Sequence, residues 1–312
     1  MIRWPERYDP SRAPVQLVAQ AKLARLPGPD ARAHTFGMRA GRLRVPALFV
    51  SLALAAGCTS AVSPSRVAAV PEVFPGYLAG YLSKGAVPDS LSLVPPPPPA
   101  GSAALAADEE ANRKALALRG TPRFELATED ANLLFPRAAG TFSCSLNASV
   151  TEQDTPHLYV LLRRVLGDAA SSTGRAKNQY KRARPFLVNK ESTCTPAEEA
   201  EIGTQGSYPS GHSAAGWAWA LVLAELAPDR ADMLISRGRA FGQSRVVCNV
   251  HWQADVNEGR TMGAATVARL HADPAFRADL DAAGTELAAV RARSLRPARN
   301  CKAEADALAE AP

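Results

Sequence analysis

The sequence predicts an all-α fold: a single-domain helical bundle with an extended, Pro-rich N-terminal arm. Three observations carry that expectation. Ala and Arg are abundant and β-branched residues sparse in the C-terminal half, which favours helix. Helix-start pairs recur at Thr155-Pro156, Pro228-Asp229 and Asp273-Pro274. No alternating strand pattern of useful length and no internal repeat is present. With 312 residues, the chain can bury one sizeable core. At 46% hydrophobic and 21% charged residues it has an ordinary globular composition, which excludes wholesale disorder. The net charge of +6 is not gathered into a basic tract interleaved with aromatics, so it argues against a nucleic-acid partner and suits small anions.

Residues 1–37 show no periodicity and read as a mis-called start or a disordered segment. Residues 38–58 read as a signal peptide. Arg39, Arg42 and Arg44 precede an apolar run at 45–56, too short to span a bilayer but suited to a signal h-region. The box Leu54-Ala55-Ala56-Gly57-Cys58 resembles a bacterial lipoprotein cleavage site with its Leu one place early. Lipidation of Cys58 is the preferred expectation, with plain cleavage after Ala61 as its rival. Either implies export to a bacterial periplasm, and lipidation adds an outer-membrane anchor as the only membrane contact.

Residues 59–100 form a tether and a Pro-rich arm, with Pro95 to Pro99 extended as polyproline. The helical domain spans 101–295, and 296–312 is a C-terminal tail. Helical signal begins near Asp108 and breaks at Gly120-Thr121-Pro122, and a second helix covers 122–135. A third runs from Thr155-Pro156 to about Ala170. A fourth, from about Ser172, carries Lys177 and Arg184 and ends at Pro185. A loop at 186–207 contains Cys194. The helix from His212 to about Leu226 is apolar nearly all round, which makes it the central buried helix. Helices at 228–247, 251–270 and 273–293 complete the bundle.

Five cysteines are present. Lipidating Cys58 leaves four, enough for two disulfides in an oxidising compartment. Three pairings are open; Cys194 with Cys248 and Cys144 with Cys301 is preferred. None has metal-finger spacing.

Chemistry gathers in three places. Lys177 and Arg184 lie seven residues apart, two helical turns, and so are placed on one face. At Pro209-Ser210-Gly211-His212 the chain turns into the buried helix, whose first N–H groups have no internal partners and favour an anion. Ser210 adds a hydroxyl donor. Its plain alternative, an ordinary helix cap, is slightly the better reading on this stretch alone. Finally, His251 and Asp255 lie four apart, as on one helical face, where a carboxylate can take the imidazole Nδ1–H and leave Nε2 nucleophilic. Arg245 adds a planar fork for phosphate oxygens.

Together these read Lys, six residues, Arg-Pro; Pro-Ser-Gly-His; Ser-Arg, five residues, His, three residues, Asp. The pattern resembles the type 2 phosphatidic acid phosphatase superfamily. The flanks Gly206-Ser207-Tyr208 and Phe241-Gly242-Gln243 are similar to the class A bacterial nonspecific acid phosphatases within it. The resemblance covers about residues 95–280. It implies that Lys177, Arg184, Arg245, the Ser210 hydroxyl and the Gly211 N–H bind phosphate. His251 would attack phosphorus, Asp255 would orient it, and His212 would protonate the leaving oxygen. Each of three cations at ~4 Å contributes up to about 4 kcal/mol at an effective dielectric of ~20, before desolvation. The resemblance therefore implies no cofactor and no metal. Its partners would be small phosphomonoesters and inorganic phosphate, and a homo-oligomer is left open. A lipid phosphatase, a vanadium haloperoxidase and a phosphate-binding lipoprotein without activity are the alternatives.

Overall fold

The computed structural model describes residues 69–310. The expected start segment 1–37, the signal peptide 38–58, lipidation of Cys58 and cleavage after Ala61 lie outside the described residues.

The arm begins with a small antiparallel hairpin, β1 (Glu72–Phe74) and β2 (Tyr77–Leu78). A short helix α1 (Ser90–Leu93) and the extended prolines follow. The Asp168 carboxylate receives the N–H groups of Tyr81 and Leu82 at 2.7 and 3.1 Å. Farther on, the Tyr208 hydroxyl donates to the Pro95 carbonyl at 2.7 Å. The arm is thus fastened to the domain by the backbone groups that an extended segment leaves unpaired.

The domain consists of α2 (Ala103–Leu116), α3 (Pro122–Asp130), α4 (Ser143–Leu146), α5 (Pro156–Ser172), α6 (Gly174–Tyr180), α7 (Pro185–Asn189) and α8 (Glu199–Ile202). It continues with α9 (Gly211–Leu226), α10 (Ala231–Val247), α11 (Gln253–Leu270), α12 (Pro274–Ala292) and α13 (Cys301–Ala309). The fold is all-α, as the composition predicts. The central helix α9 packs against α5, α10, α11 and α12. Its buried residues include Ala214, Ala215, Ala218, Trp219, Val222 and Leu223, which face outward all round it. Among the described residues, no helix is long and apolar enough to cross a membrane.

Several boundaries differ from the expectation. The helix expected over 122–135 stops at Asp130, because the Asn132 side chain takes the Leu134 N–H at 2.8 Å and turns the chain. Lys177 and Arg184 do not share a helix. Helix α6 ends at Tyr180, Lys181 is left-handed (φ 45°), and Arg184 is extended before Pro185. The expected 186–207 loop contains α7 and α8. Thr155 occupies its cap position but bonds within its own loop, to Thr151. The open N–H groups of His157 and Leu158 are met instead by Glu286 of α12, at 3.0 and 3.1 Å. Residues read as a tail form α13, which packs on α3. Disulfides join Cys144 to Cys301 and Cys194 to Cys248.

Candidate active site

The turn before α9 is the first wall. Ser210 is extended and fully buried, and its Oγ caps the helix by accepting from the Ser213 N–H at 3.2 Å. The Ser210 N–H donates to the Asp255 carbonyl at 2.9 Å, which fixes the turn to α11. Gly259 permits this approach, since a Cβ there would stand 2.5 Å from the Ser210 carbonyl oxygen. On the other side, Gly206 allows the loop to pass Lys177, where a Cβ would meet the Lys177 carbonyl at 2.5 Å. A Cβ at Gly211 would lie 4.0 Å from the Lys177 Cε, so the turn and Lys177 meet although they are remote in sequence.

The second wall is the passage from α10 to α11. The N–H groups of Val250 and His251 both donate to the Arg245 carbonyl at 3.2 Å, and Asn249 supplies the left-handed step (φ 61°). His251 therefore precedes α11 rather than riding on it, so its contact with Asp255 is not the helical i, i+4 pairing that the spacing suggests. Asp255 occupies the first turn of α11 and reaches back. Its Oδ2 takes the Trp252 N–H at 2.9 Å and His251 Nδ1 at 3.2 Å, and its Oδ1 takes Arg182 at 2.7 Å. Arg184 Nη1 lies 3.2 Å from His251 Nε2. A guanidinium can only donate, so Nε2 is the acceptor and Nδ1 carries the proton. Both neighbours thus select one tautomer, with an Nε2 lone pair directed at the cations.

Those cations are Lys177, Arg184 and Arg245. Lys177 donates to the Gly206 and Ser207 carbonyls at 3.1 and 3.4 Å, and Arg184 to those of Ile202 and Val250 at 2.8 and 3.0 Å. Arg245 is 4% exposed, yet its Nε and Nη1 have no hydrogen-bond partner among the described residues. Burial pushes Lys177 down to about 7, with Arg184 adding to the effect. Burial likewise lowers Arg184 to about 10, and burial and then Arg184 lower Arg245 to about 10. Burial and then Arg184 hold His251 well below the usual histidine range. Burial raises the Asp255 carboxyl, and the Arg182 guanidinium opposes the shift. Arg182 is the carboxylate's counter-ion, so no ion pair neutralises Lys177, Arg184 or Arg245 among the described residues.

His212, at the start of α9, is partly buried. Its Nε2 lies 3.0 Å from the Ala131 carbonyl oxygen, which can only accept, so Nε2 carries hydrogen. Burial and then Arg245 hold its pKa well below the usual range.

Most residues singled out from the sequence therefore converge: Lys177, Arg184, Gly211, His212, Arg245, His251 and Asp255. Ser210 lies among them as a buried cap. Two partners were not legible. Arg182 bridges Asp255 and Asp108 at 2.7 Å each, but in sequence it is one base among several. Asp130 binds Arg237 and Ser244 behind Arg245. Only the long-range fold pairs these residues, so spacing gave no signal. A cavity of about 600 Å³ lined by residues of α3 and α13 lies elsewhere.

An all-α domain with a buried cation cluster, unpaired among the described residues, beside a tautomer-fixed histidine suits an enzyme that handles phosphoryl groups. Sequence comparison agrees. A family described as the PAP2 superfamily matches residues 157–278. A non-specific acid phosphatase of Providencia stuartii is 40% identical over 243 residues, covering 76% of this chain and 98% of that one. A Salmonella typhimurium non-specific acid phosphatase is 44% identical over 181 residues, 58% of this chain and 72% of that one. An acid phosphatase of Zymomonas mobilis is 39% identical over 192 residues, 62% and 73% of the two chains. The chain belongs to the class A nonspecific acid phosphatases of the PAP2 superfamily, and is a phosphoric monoester hydrolase.

Proposed function

We propose that this phosphatase hydrolyses phosphate monoesters through a phosphohistidine on His251. The observation that carries the reading is the buried Arg245 guanidinium with two unpartnered nitrogens, which a phosphoryl group would satisfy. Lys177, Arg184, Arg245 and the N–H groups opening α9 bind the phosphoryl oxygens. The Ser210 hydroxyl, already the cap of α9, is a further donor. His251 Nε2 attacks phosphorus as the ester P–O bond breaks, and protonated His212 gives the leaving oxygen its proton. Water then attacks the phosphohistidine. His212 takes the water's proton, phosphate leaves, and His251 is restored with its Nδ1–H still on Asp255. The binding groups identified all address the phosphoryl end, which supports a broad range of leaving groups.

The test is hydrolysis of p-nitrophenyl phosphate with and without EDTA, on wild type and His251→Ala. The expectation is activity that EDTA spares and vanadate inhibits, with an acid-labile phosphoenzyme in quenched wild type alone. An active His251→Ala protein would remove the nucleophile from this reading.

Export to a bacterial periplasm, with Cys58 lipidated at the outer membrane, completes the proposal. The two disulfides support an oxidising compartment. Mass spectrometry of the mature N-terminus separates lipidated Cys58 from cleavage after Ala61, and an uncleaved chain would refute both.

A further inference from the structure

We propose that Asp130 is a positioning residue for His212, acting through the neighbouring Ala131 carbonyl, and that Ser244 and Arg237 hold it in place. The inference rests on the reading of His212 as the general acid.

Asp130 is the last residue of α3 and is 1% exposed. A carboxylate there meets the negative end of the helix dipole and has no water to solvate it, so local preference does not explain it. Its surroundings do. Arg237 grips it with two nitrogens, Nη1 at 3.0 Å and Nη2 at 2.5 Å, and the Ser244 hydroxyl donates at 2.7 Å. Both partners belong to α10, and Ser244 immediately precedes Arg245. One buried carboxylate therefore locks the end of α3 to the part of α10 that carries the phosphate arginine. Arg123 adds a bond to Ser244 at 3.1 Å.

The next residue, Ala131, caps α3, and its carbonyl is one that a helix end cannot satisfy internally. His212 Nε2–H occupies it at 3.0 Å. That hydrogen bond holds the His212 ring and fixes which nitrogen keeps its proton. With Nε2–H held by the carbonyl, Nδ1 is the position from which a proton is delivered to the leaving oxygen. The direction of the carbonyl is set by the lock one residue earlier. Loosening Asp130 would release the acid, and any shift of Arg245 with it would weaken phosphate binding on all esters alike.

Leaving-group dependence provides the test. A general acid matters little for p-nitrophenolate, a good leaving group, and much for a simple alkyl alkoxide. kcat/KM is measured for p-nitrophenyl phosphate and an alkyl phosphate on wild type, Asp130→Asn, Ser244→Ala and His212→Ala, with circular dichroism as the check on folding. Both lock variants should lose about tenfold more on the alkyl ester than on the aryl ester, in the same direction as His212→Ala. Equal losses on both esters would mean that the lock is only structural, and would overturn the inference. If Asp130→Asn does not fold, Ser244→Ala decides alone, because it leaves the Asp130–Arg237 pair intact. A His212→Ala enzyme with no leaving-group dependence would instead overturn the acid assignment beneath the inference.

Discussion

His251 and His212 border the same cluster of cations but are held by different kinds of partner. His251 gives its Nδ1–H to Asp255, a carboxylate itself tied to Arg182 and to the Trp252 N–H. His212 gives its Nε2–H to a backbone carbonyl. A carboxylate stabilises positive charge on the ring, whereas a carbonyl orients the ring and stabilises that charge far less. A nucleophile that takes phosphorus onto one nitrogen becomes cationic, so a counter-charge helps it. An acid must surrender its proton, and a strong counter-charge would hinder that. The two partners match the two proposed duties.

The comparison can be broken at its nucleophile first. His251→Ala should lose about 10⁴-fold or more in kcat, since the proposed phosphohistidine can no longer form. The assay is p-nitrophenyl phosphate turnover with active-site titration by alkaline quench. Next is the partner of that histidine. Asp255→Asn should fold but lose on the order of 10²-fold or more in kcat, because an amide no longer selects the Nδ1–H tautomer. Near-wild-type turnover would end the orienting role.

A pH profile then sharpens the contrast. His212 must be protonated to act, and burial and Arg245 keep its pKa well below the ordinary value. kcat/KM should therefore fall as pH rises through that lowered pKa, giving an acid optimum. A flat profile from about pH 5 to 9 would contradict it.

The smallest expected effect concerns Lys177, whose pKa is down to about 7. Its protonated form binds anions, and a bound anion raises its pKa. Affinity should be full below about 7 and should decline as pH rises above it, by at most about tenfold per pH unit. Sulfate is the suitable probe, because its charge is constant over this range. Calorimetric titration at several pH values measures the slope, and affinity that rises with pH would refute the coupling.

The all-α class and most helix starts were legible because their signals are local: prolines at first turns, a run of apolar residues in α9, and few β-branched residues. The candidate site was legible as a pattern of spacings. Its geometry was not. Arg184 reaches His251 because Lys181 turns left-handed and Pro185 forces extension, not because a helix continues. His251 meets Asp255 from outside α11. Arg182 and Asp130 find their partners across the fold, 73 and 107 residues away, and no local rule pairs charges at that range. Ser210 shows the opposite case, where the plain cap reading is what the structure displays.

The bond from the Ser210 amide to the Asp255 carbonyl has a mechanical consequence. It joins the turn that carries His212 to the residue that steers His251, and Gly259 brings the two backbones too close to slide. Acid and nucleophile thus share one rigid frame. Turnover then needs no hinge between α9 and α11. The Ser210 amide proton should accordingly exchange with solvent only when the whole domain opens, and native-state hydrogen exchange would place it among the slowest in the chain.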